Sequence, residues 1–160
     1  MSIEDKLDAI FSGDLKELML VSYIVLSNNA VTNRFIETRF DMPVQAWSSL
    51  FAIDRFPGIR AKEIKALFPR PQNTISRAIN LLESRGLVRQ EASTSDGREK
   101  RVCCTDAGRA VLAEMIDLSI RRQAELFAPL TAAEKETFVA LARKVAQGDR
   151  LLHSAVMNSD

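Results

Sequence analysis

The sequence predicts a mainly α-helical protein with one small β-hairpin, and three observations support this fold class. Prolines and glycines separate segments in which apolar residues recur with the period of an α-helix. Two short runs, 87–92 and 101–104, are instead typical of extended strands, and they flank a polar stretch rich in turn residues. The chain has 160 residues, which is enough for one domain or for two small lobes that share a core.

Four helices are expected before the hairpin. The first is predicted over about 14–39, where apolar residues recur at helical spacing. The second begins at Pro43, because proline is favoured at the first position of a helix, and it ends before Pro57. A short third helix covers 61–68. The fourth covers 71–86 and ends in a glycine, where a left-handed cap is expected.

Two further helices are expected after the hairpin. Thr105 can cap the start of the first of them. Thr131 and Glu134 have the spacing of a capping box, in which each side chain accepts a hydrogen bond from the backbone N–H of the other residue. The last helix is therefore predicted to begin at this box. Beyond Gly148 it is expected either to fray or to continue.

The composition excludes several classes of protein. The longest apolar stretch, 18–26, is far shorter than the roughly 20 residues that span a bilayer, so no membrane partner is expected. Cys103 and Cys104 are the only cysteines and are adjacent, so a disulfide framework within one chain is excluded and a reducing cytoplasm is expected. The single histidine, His153, leaves little material for a zinc site or a catalytic triad. We therefore expect neither an enzyme nor a bound metal or cofactor.

The charge is distributed unevenly along the chain. The formal net charge is +1, with 22 basic and 21 acidic residues. Residues 58–101 hold 10 basic and 5 acidic residues, a net charge of +5, whereas 1–57 carry −3 and 102–160 carry −1. Positive charge that is concentrated in one compact segment is typical of nucleic-acid binding, although many solvated surfaces carry a patch of this size.

The fourth predicted helix has two faces of different chemistry. An apolar stripe is formed by Ile75, Ala78, Ile79 and Leu82. The opposite face carries Asn73, Ser76, Arg77 and Asn80. Asparagine can bond the edge of adenine and arginine the edge of guanine, while a small hydroxyl residue allows close approach. A face that is merely solvated is the alternative. The short helix that precedes it and the basic hairpin that follows it favour a helix-turn-helix that binds DNA.

The predicted hairpin offers a second contact with DNA. Arg98 lies at its glycine-bearing tip and can enter a minor groove, where negative potential is focused. Asp96 is close enough in sequence to accept hydrogen bonds from the guanidinium and so to hold it in one orientation. Lys100 and Arg101 add positive charge nearby. The alternative interpretation is an ordinary charged turn.

Five motifs follow one another along the middle of the chain. They are Ala61-Lys62-Glu63-Ile64, Thr74-Ile75-Ser76-Arg77, Leu82-Glu83-Ser84-Arg85-Gly86-Leu87-Val88, Asp96-Gly97-Arg98 and Thr105-Asp106-Ala107-Gly108. In this order, and over about residues 15–145, the chain resembles the MarR family of winged-helix transcriptional regulators. The third motif is common to many winged helices, and the last two make the resemblance more specific.

The resemblance implies a winged helix-turn-helix lobe at 43–105, with dimerisation helices at 1–42 and 106–160. The implied function is that of a homodimeric repressor that binds a palindromic operator in double-stranded DNA and is relieved by a small ligand. A winged-helix module for protein–protein assembly, without a role in DNA binding, is the alternative. The expected DNA-binding residues are Asn73, Thr74, Ser76, Arg77, Asn80, Asp96, Arg98 and Lys100.

The resemblance also implies a site for a small aromatic ligand between the dimerisation helices and the DNA-binding lobe. The candidates to line it are Tyr23, Phe40, Trp47 and Phe51, and ordinary core packing is the alternative for each of them. Some relatives sense oxidants through a cysteine near the N-terminal helix. Here both cysteines lie on the second hairpin strand, one expected to face inward and one outward, so a small apolar role is the default for the buried one.

Overall fold

A computed structural model describes residues 1–69, 72–92, 100–154 and 156–157. The mainly helical fold with one hairpin is confirmed. The elements are, in order, α1 (Ile3–Phe11), α2 (Lys16–Phe40), α3 (Val44–Arg55), α4 (Ala61–Leu67), α5 (Gln72–Ser84), β1 (Val88–Ala92), β2 (Lys100–Cys104), α6 (Asp106–Leu126) and α7 (Ala132–Ala146).

The sequence-based prediction lacks the helix α1 and is wrong on this point. Its start is fixed by a capping box in which Ser2 Oγ accepts a hydrogen bond from the Asp5 N–H at 3.1 Å and Asp5 Oδ2 accepts one from the Ser2 N–H at 2.7 Å. None of its residues is buried. Its last residue, Phe11, meets the ring of Tyr23 on α2 edge-on, with centroids 5.3 Å apart.

Smaller differences concern the start of α3 and the end of α7. Pro43 occupies the N-cap position of α3 and not the first helical position, because its backbone is extended at ψ 152°. The predicted start of the fourth helix at Pro71 lies outside the described residues. At the C-terminal end, α7 ends at Ala146, ahead of Gly148, so it does not continue into the tail.

The contacts divide the chain into two compact units, 1–116 and 117–160. The core of the first unit is built mainly by α3, α4, α5, the hairpin and the first half of α6. Its largest fully buried apolar side chains are Leu50, Ile53, Ile64, Ile75, Leu82, Val102 and Met115. The predicted apolar stripe of α5 is therefore confirmed as a core-facing surface, and burial of this stripe is the main force that holds α5 in place.

The hairpin is antiparallel, and an isolated antiparallel bridge at Ile59 extends it on the other side of β2. Val88 pairs with Cys104 at its base, and Ala92 pairs with Lys100 at the end of the described ladder. On the other side of β2, the Val102 N–H donates to the carbonyl oxygen of Ile59 at 3.1 Å. The hairpin is thereby attached to the segment that leads into α4.

A junction of three backbone segments connects α5, the hairpin and α6. Gly86 ends α5 in the left-handed conformation, at φ 69°, as the sequence predicts. Thr105 Oγ1 donates to the carbonyl oxygen of Gly86 at 2.7 Å and accepts a hydrogen bond from the Gly108 N–H at 3.0 Å. The same hydroxyl thus caps the start of α6 and satisfies a carbonyl beyond the end of α5.

The second unit contains the C-terminal part of α6 and all of α7. The predicted capping box is present: Thr131 Oγ1 accepts a hydrogen bond from the Glu134 N–H at 3.3 Å, and Glu134 Oε2 accepts one from the Thr131 N–H at 2.8 Å. The rings of Phe127 and Phe138 lie 5.3 Å apart. His153 is exposed. In the part of the chain that the structure describes, no helix is sufficiently long and apolar to cross a membrane.

Candidate nucleic-acid interface

The helix α4 is held in place by a network at its N-terminus. The Glu63 carboxylate accepts hydrogen bonds from the Arg60 backbone N–H at 2.9 Å, from Arg60 Nε at 3.0 Å and from Arg60 Nη2 at 3.0 Å. These bonds to the ionised carboxylate, together with nearby positive charge, lower the pKa of Glu63 from 4.5 to about 2. Ile64 anchors the same helix in the core, so α4 provides a fixed support for α5.

The outward face of α5 presents the polar side chains that the sequence singles out. Asn73, Ser76, Arg77 and Asn80 are all exposed, and Thr74 is half-buried at the edge of the face. Arg77 forms no ion pair with any residue that the structure describes. Bidentate bonding to guanine is the commonest specific use of an arginine side chain in DNA recognition.

The hairpin is attached to the C-terminal end of α5 by a side-chain bridge. The Glu83 carboxylate accepts hydrogen bonds from the Gln90 backbone N–H at 3.0 Å and from Gln90 Nε2 at 2.6 Å. These two bonds lower the pKa of Glu83. No sequence pattern predicts this bridge, because Glu83 and Gln90 belong to different elements that no periodicity connects.

The described hairpin is exposed and basic at the end of its ladder that lies farther from the base. Lys100 begins β2 and is exposed, as is Arg101 next to it. Arg89 on β1 is paired with Glu91 at 2.7 Å, so part of its charge is compensated. The other two predicted hairpin contacts, Asp96 and Arg98, lie outside the described residues. Lys65 on α4 is also exposed, and no sequence motif singles it out.

The four aromatic residues predicted to line a ligand site fall into three ring pairs. Trp47 and Phe51, one turn apart on α3, are stacked with centroids 5.7 Å apart and planes inclined by 8°. The ring of Tyr23 contacts Phe11, and the ring of Phe40 contacts Phe35 at 6.2 Å. Trp47 Nε1 is buried and has no hydrogen-bond partner among the described residues. A site that all four residues share stays a prediction.

The two cysteines occupy opposite faces of β2, as the sequence predicts. Cys104 is buried and its Sγ lies 3.7 Å from the carbonyl oxygen of Leu87. Burial raises the pKa of the Cys104 thiol, which favours the neutral form over the reactive thiolate. Cys103 is half-buried. The buried thiol therefore serves as a small apolar residue at the base of the hairpin.

Comparison with known proteins identifies relatives of the same kind. The model of the MarR family matches residues 40–99, which include α3, α4, α5 and β1. The transcriptional regulator HosA of Escherichia coli O157:H7 is 30% identical over 105 residues, which are 66% of this chain and 78% of HosA.

Solved structures show the same fold. A MarR-family transcriptional regulator from Silicibacter pomeroyi superposes with a TM-score of 0.72 at 26% identity, over 84% of this chain and 90% of that one. BpsR of Bordetella bronchiseptica superposes with a TM-score of 0.73 at 22% identity, over 82% of this chain and 93% of its own. The fold, the exposed polar face of α5 and the identity to HosA agree: the chain belongs to the MarR family of winged-helix transcriptional regulators.

Proposed function

We propose that this chain is a sequence-specific DNA-binding repressor that acts as a homodimer and is released from DNA by a small aromatic ligand. The observation that carries the proposal is the exposed face of α5, on which Asn73, Ser76, Arg77 and Asn80 lie together within a segment of net charge +5. Such a face combines base-edge donors with a positive field that attracts the phosphate backbone.

In the proposed complex, α5 enters the major groove. Arg77 bonds a guanine edge, Asn73 and Asn80 bond adenine edges, and Ser76 and Thr74 contact bases or nearby phosphates. Lys100 approaches a phosphate, while Arg98, oriented by Asp96, enters the adjacent minor groove. The phosphate contacts position the protein, and the base contacts select the sequence.

The proposed dimer is supported by the surface of α2. None of its 25 residues is buried, although its N-terminal half is rich in apolar side chains on all sides. A helix that is apolar all round is normally buried, and exposed apolar patches of this extent mark interfaces. A second copy of the chain is the occupant that fits best, because two copies of α5 related by a twofold axis match a palindromic site.

The proposed ligand site is centred on Trp47 and Phe51. The stacked pair offers an aromatic surface. The indole N–H of Trp47, which has no hydrogen-bond partner among the described residues, offers one donor. An aromatic molecule with an acceptor group suits this combination. In BpsR, DNA binding is regulated by 6-hydroxynicotinic acid, an aromatic acid of this type. Tyr23 and Phe40 are further candidates to contact the ligand.

A mobility-shift measurement on the DNA upstream of the chain's own gene tests the proposal. We expect a shifted complex that survives competition by an excess of unrelated duplex, and we expect 6-hydroxynicotinic acid or a similar aromatic acid to dissociate it. If unrelated duplex competes for the protein as well as the upstream DNA does, or if no shifted complex forms, the chain is not a sequence-specific repressor at this site. The alternative, a module for protein–protein assembly without DNA binding, then becomes the better interpretation.

A further inference from the structure

The side chain of Arg85 connects the end of the DNA-facing helix to the end of α2. Arg85 directly follows α5. Its Nη1 donates to the carbonyl oxygen of Phe40 at 3.1 Å, and its Nη2 donates to the carbonyl oxygen of Asp41 at 2.5 Å. Phe40 is the last residue of α2, and Asp41 is its C-cap. One guanidinium thus spans two elements that are more than 40 residues apart in the sequence.

The chemistry of a helix C-terminus explains why arginine suits this position. The last carbonyl groups of α2 have no N–H partner within the helix, and they carry the negative end of its macrodipole. Asp41 ends the helix in the left-handed conformation, at φ 49°. A planar guanidinium can donate to two neighbouring carbonyl oxygens at once and adds a positive charge at the favourable end.

The backbone carbonyls, more than the aspartate side chain, hold Arg85. Its contact with Asp41 Oδ2 is the longest of the three, at 3.2 Å. The side chain of Asp41 is 99% exposed, whereas that of Arg85 is 32% exposed. An ion pair this exposed contributes little, while the two carbonyl contacts fix the direction of the guanidinium.

We propose that Arg85 is a positioning residue for DNA binding, which fixes α5 relative to α2 and thereby sets the spacing between the two half-sites that a dimer can occupy. The inference rests on the proposed function. Since α2 carries the surface assigned to the second copy, its position relative to α5 determines the distance between the two copies of α5. At the same end of α5, Glu83 connects the helix to the hairpin through its hydrogen bonds from Gln90.

The test uses the palindromic duplex that the wild-type chain selects from a random pool, together with versions in which one base pair is inserted or removed between the half-sites. The main variant is Arg85→Met, which keeps an apolar stem but has no fork of donors. The matched control is Arg39→Met, which removes an exposed guanidinium from the same end of α2. Arg39 is paired with Glu114 of α6 at 2.7 Å and not with α5.

The wild type and Arg39→Met are expected to prefer the selected spacing by roughly tenfold or more, because the two recognition helices are held at a fixed separation. In Arg85→Met this preference is expected to fall to about twofold or less, with an unchanged salt dependence of binding. Arg85→Lys keeps the charge but lacks the planar pair of guanidinium donors, so its preference for the selected spacing is expected to be intermediate.

Four outcomes overturn the inference in different ways. If Arg85→Met discriminates between spacings as the wild type does, Arg85 does not position α5, although DNA binding stands. If Arg85→Met lowers the slope of log binding constant against log salt concentration by about one unit, Arg85 contacts a phosphate directly. If the wild type selects no duplex at all, the proposed function itself fails. If circular dichroism shows that Arg85→Met does not fold, Arg85→Lys is measured instead. A spacing preference of Arg85→Lys equal to that of the wild type contradicts the proposal.

Discussion

Gly108 packs so closely against Leu87 that a Cβ atom on the glycine would lie 2.0 Å from the Leu87 carbonyl oxygen. The same atom would lie 2.8 Å from Cys104 Sγ. Real Cβ atoms essentially never show contacts below 3.0 Å, so the first turn of α6 approaches the base of the hairpin at a distance that only glycine permits. The hairpin, the end of α5 and the start of α6 therefore form one tightly packed junction.

Gly108→Ala should destabilise the protein by about 3 kcal/mol, because the added methyl group meets a backbone carbonyl that cannot move without shifting the hairpin. Urea unfolding followed by circular dichroism measures the change. Gly13→Ala is the matched control, since its Cβ would meet nothing closer than 3.6 Å. The control should change stability by less than about 1 kcal/mol. Equal effects of the two substitutions would contradict this account of the junction.

Gly86→Ala should destabilise the protein through backbone strain and not through a steric clash. A Cβ at Gly86 meets nothing within 4 Å, but φ is +69°, a conformation that costs an L-residue about 1 to 2 kcal/mol. Asparagine tolerates the left-handed region better, so Gly86→Asn should recover part of the loss. Thermal unfolding of the two variants side by side gives the comparison. If alanine and asparagine were equivalent here, backbone strain would not be the cause.

Glu63→Gln should change the pH dependence of stability. The folded-state pKa of Glu63 is about 2, below its ordinary value of 4.5, because Arg60 donates to its carboxylate. Its contribution is therefore fully present above pH 4.5 and is lost as the pH falls toward 2. The difference in unfolding free energy between the wild type and Glu63→Gln should shrink over that interval. A difference for Glu63→Gln that stays constant over that interval would refute the assignment.

Leu26→Glu should separate the proposed dimer without unfolding the chain. Leu26 is 68% exposed on α2, so the substitution costs little in one copy but places a charge in the proposed interface. Sedimentation velocity should show a monomer for Leu26→Glu and a dimer for the wild type. Glu37→Gln, at an exposed polar position on the same helix, should stay dimeric. A wild-type chain that sediments as a monomer would rule out the homodimer.

The parts of the fold that the sequence predicts are those governed by local patterns. The apolar stripe from Ile75 to Leu82, the glycine cap at Gly86 and the capping box at Thr131 each follow from spacing within a few residues, and each is observed. The helix α1 was missed although Ser2 and Asp5 have the spacing of a capping box, because none of its residues is buried and its apolar pattern had no evident partner.

The contacts between separate elements could not be predicted from the sequence. The approach of Arg85 to the end of α2 joins residues 44 and 45 positions apart, and no periodicity encodes such a distance. For the aromatic residues, the i, i+4 spacing of Trp47 and Phe51 is compatible with their stacked rings. The ring partners of Tyr23 and Phe40 depend instead on how α1 and α2 pack, which composition does not determine.

The central claim, that the outward face of α5 reads DNA sequence, is tested most directly by selection from a random duplex pool with the wild type and with Arg77→Ala. The wild type should enrich a palindromic motif. Arg77→Ala should bind the motif more weakly by about 1 to 3 kcal/mol and lose its preference at one base pair in each half-site. Arg121→Ala, which removes an exposed arginine paired with Asp117 on α6, should enrich the wild-type motif. No enrichment by the wild type, or an unchanged motif and affinity for Arg77→Ala, would contradict the claim.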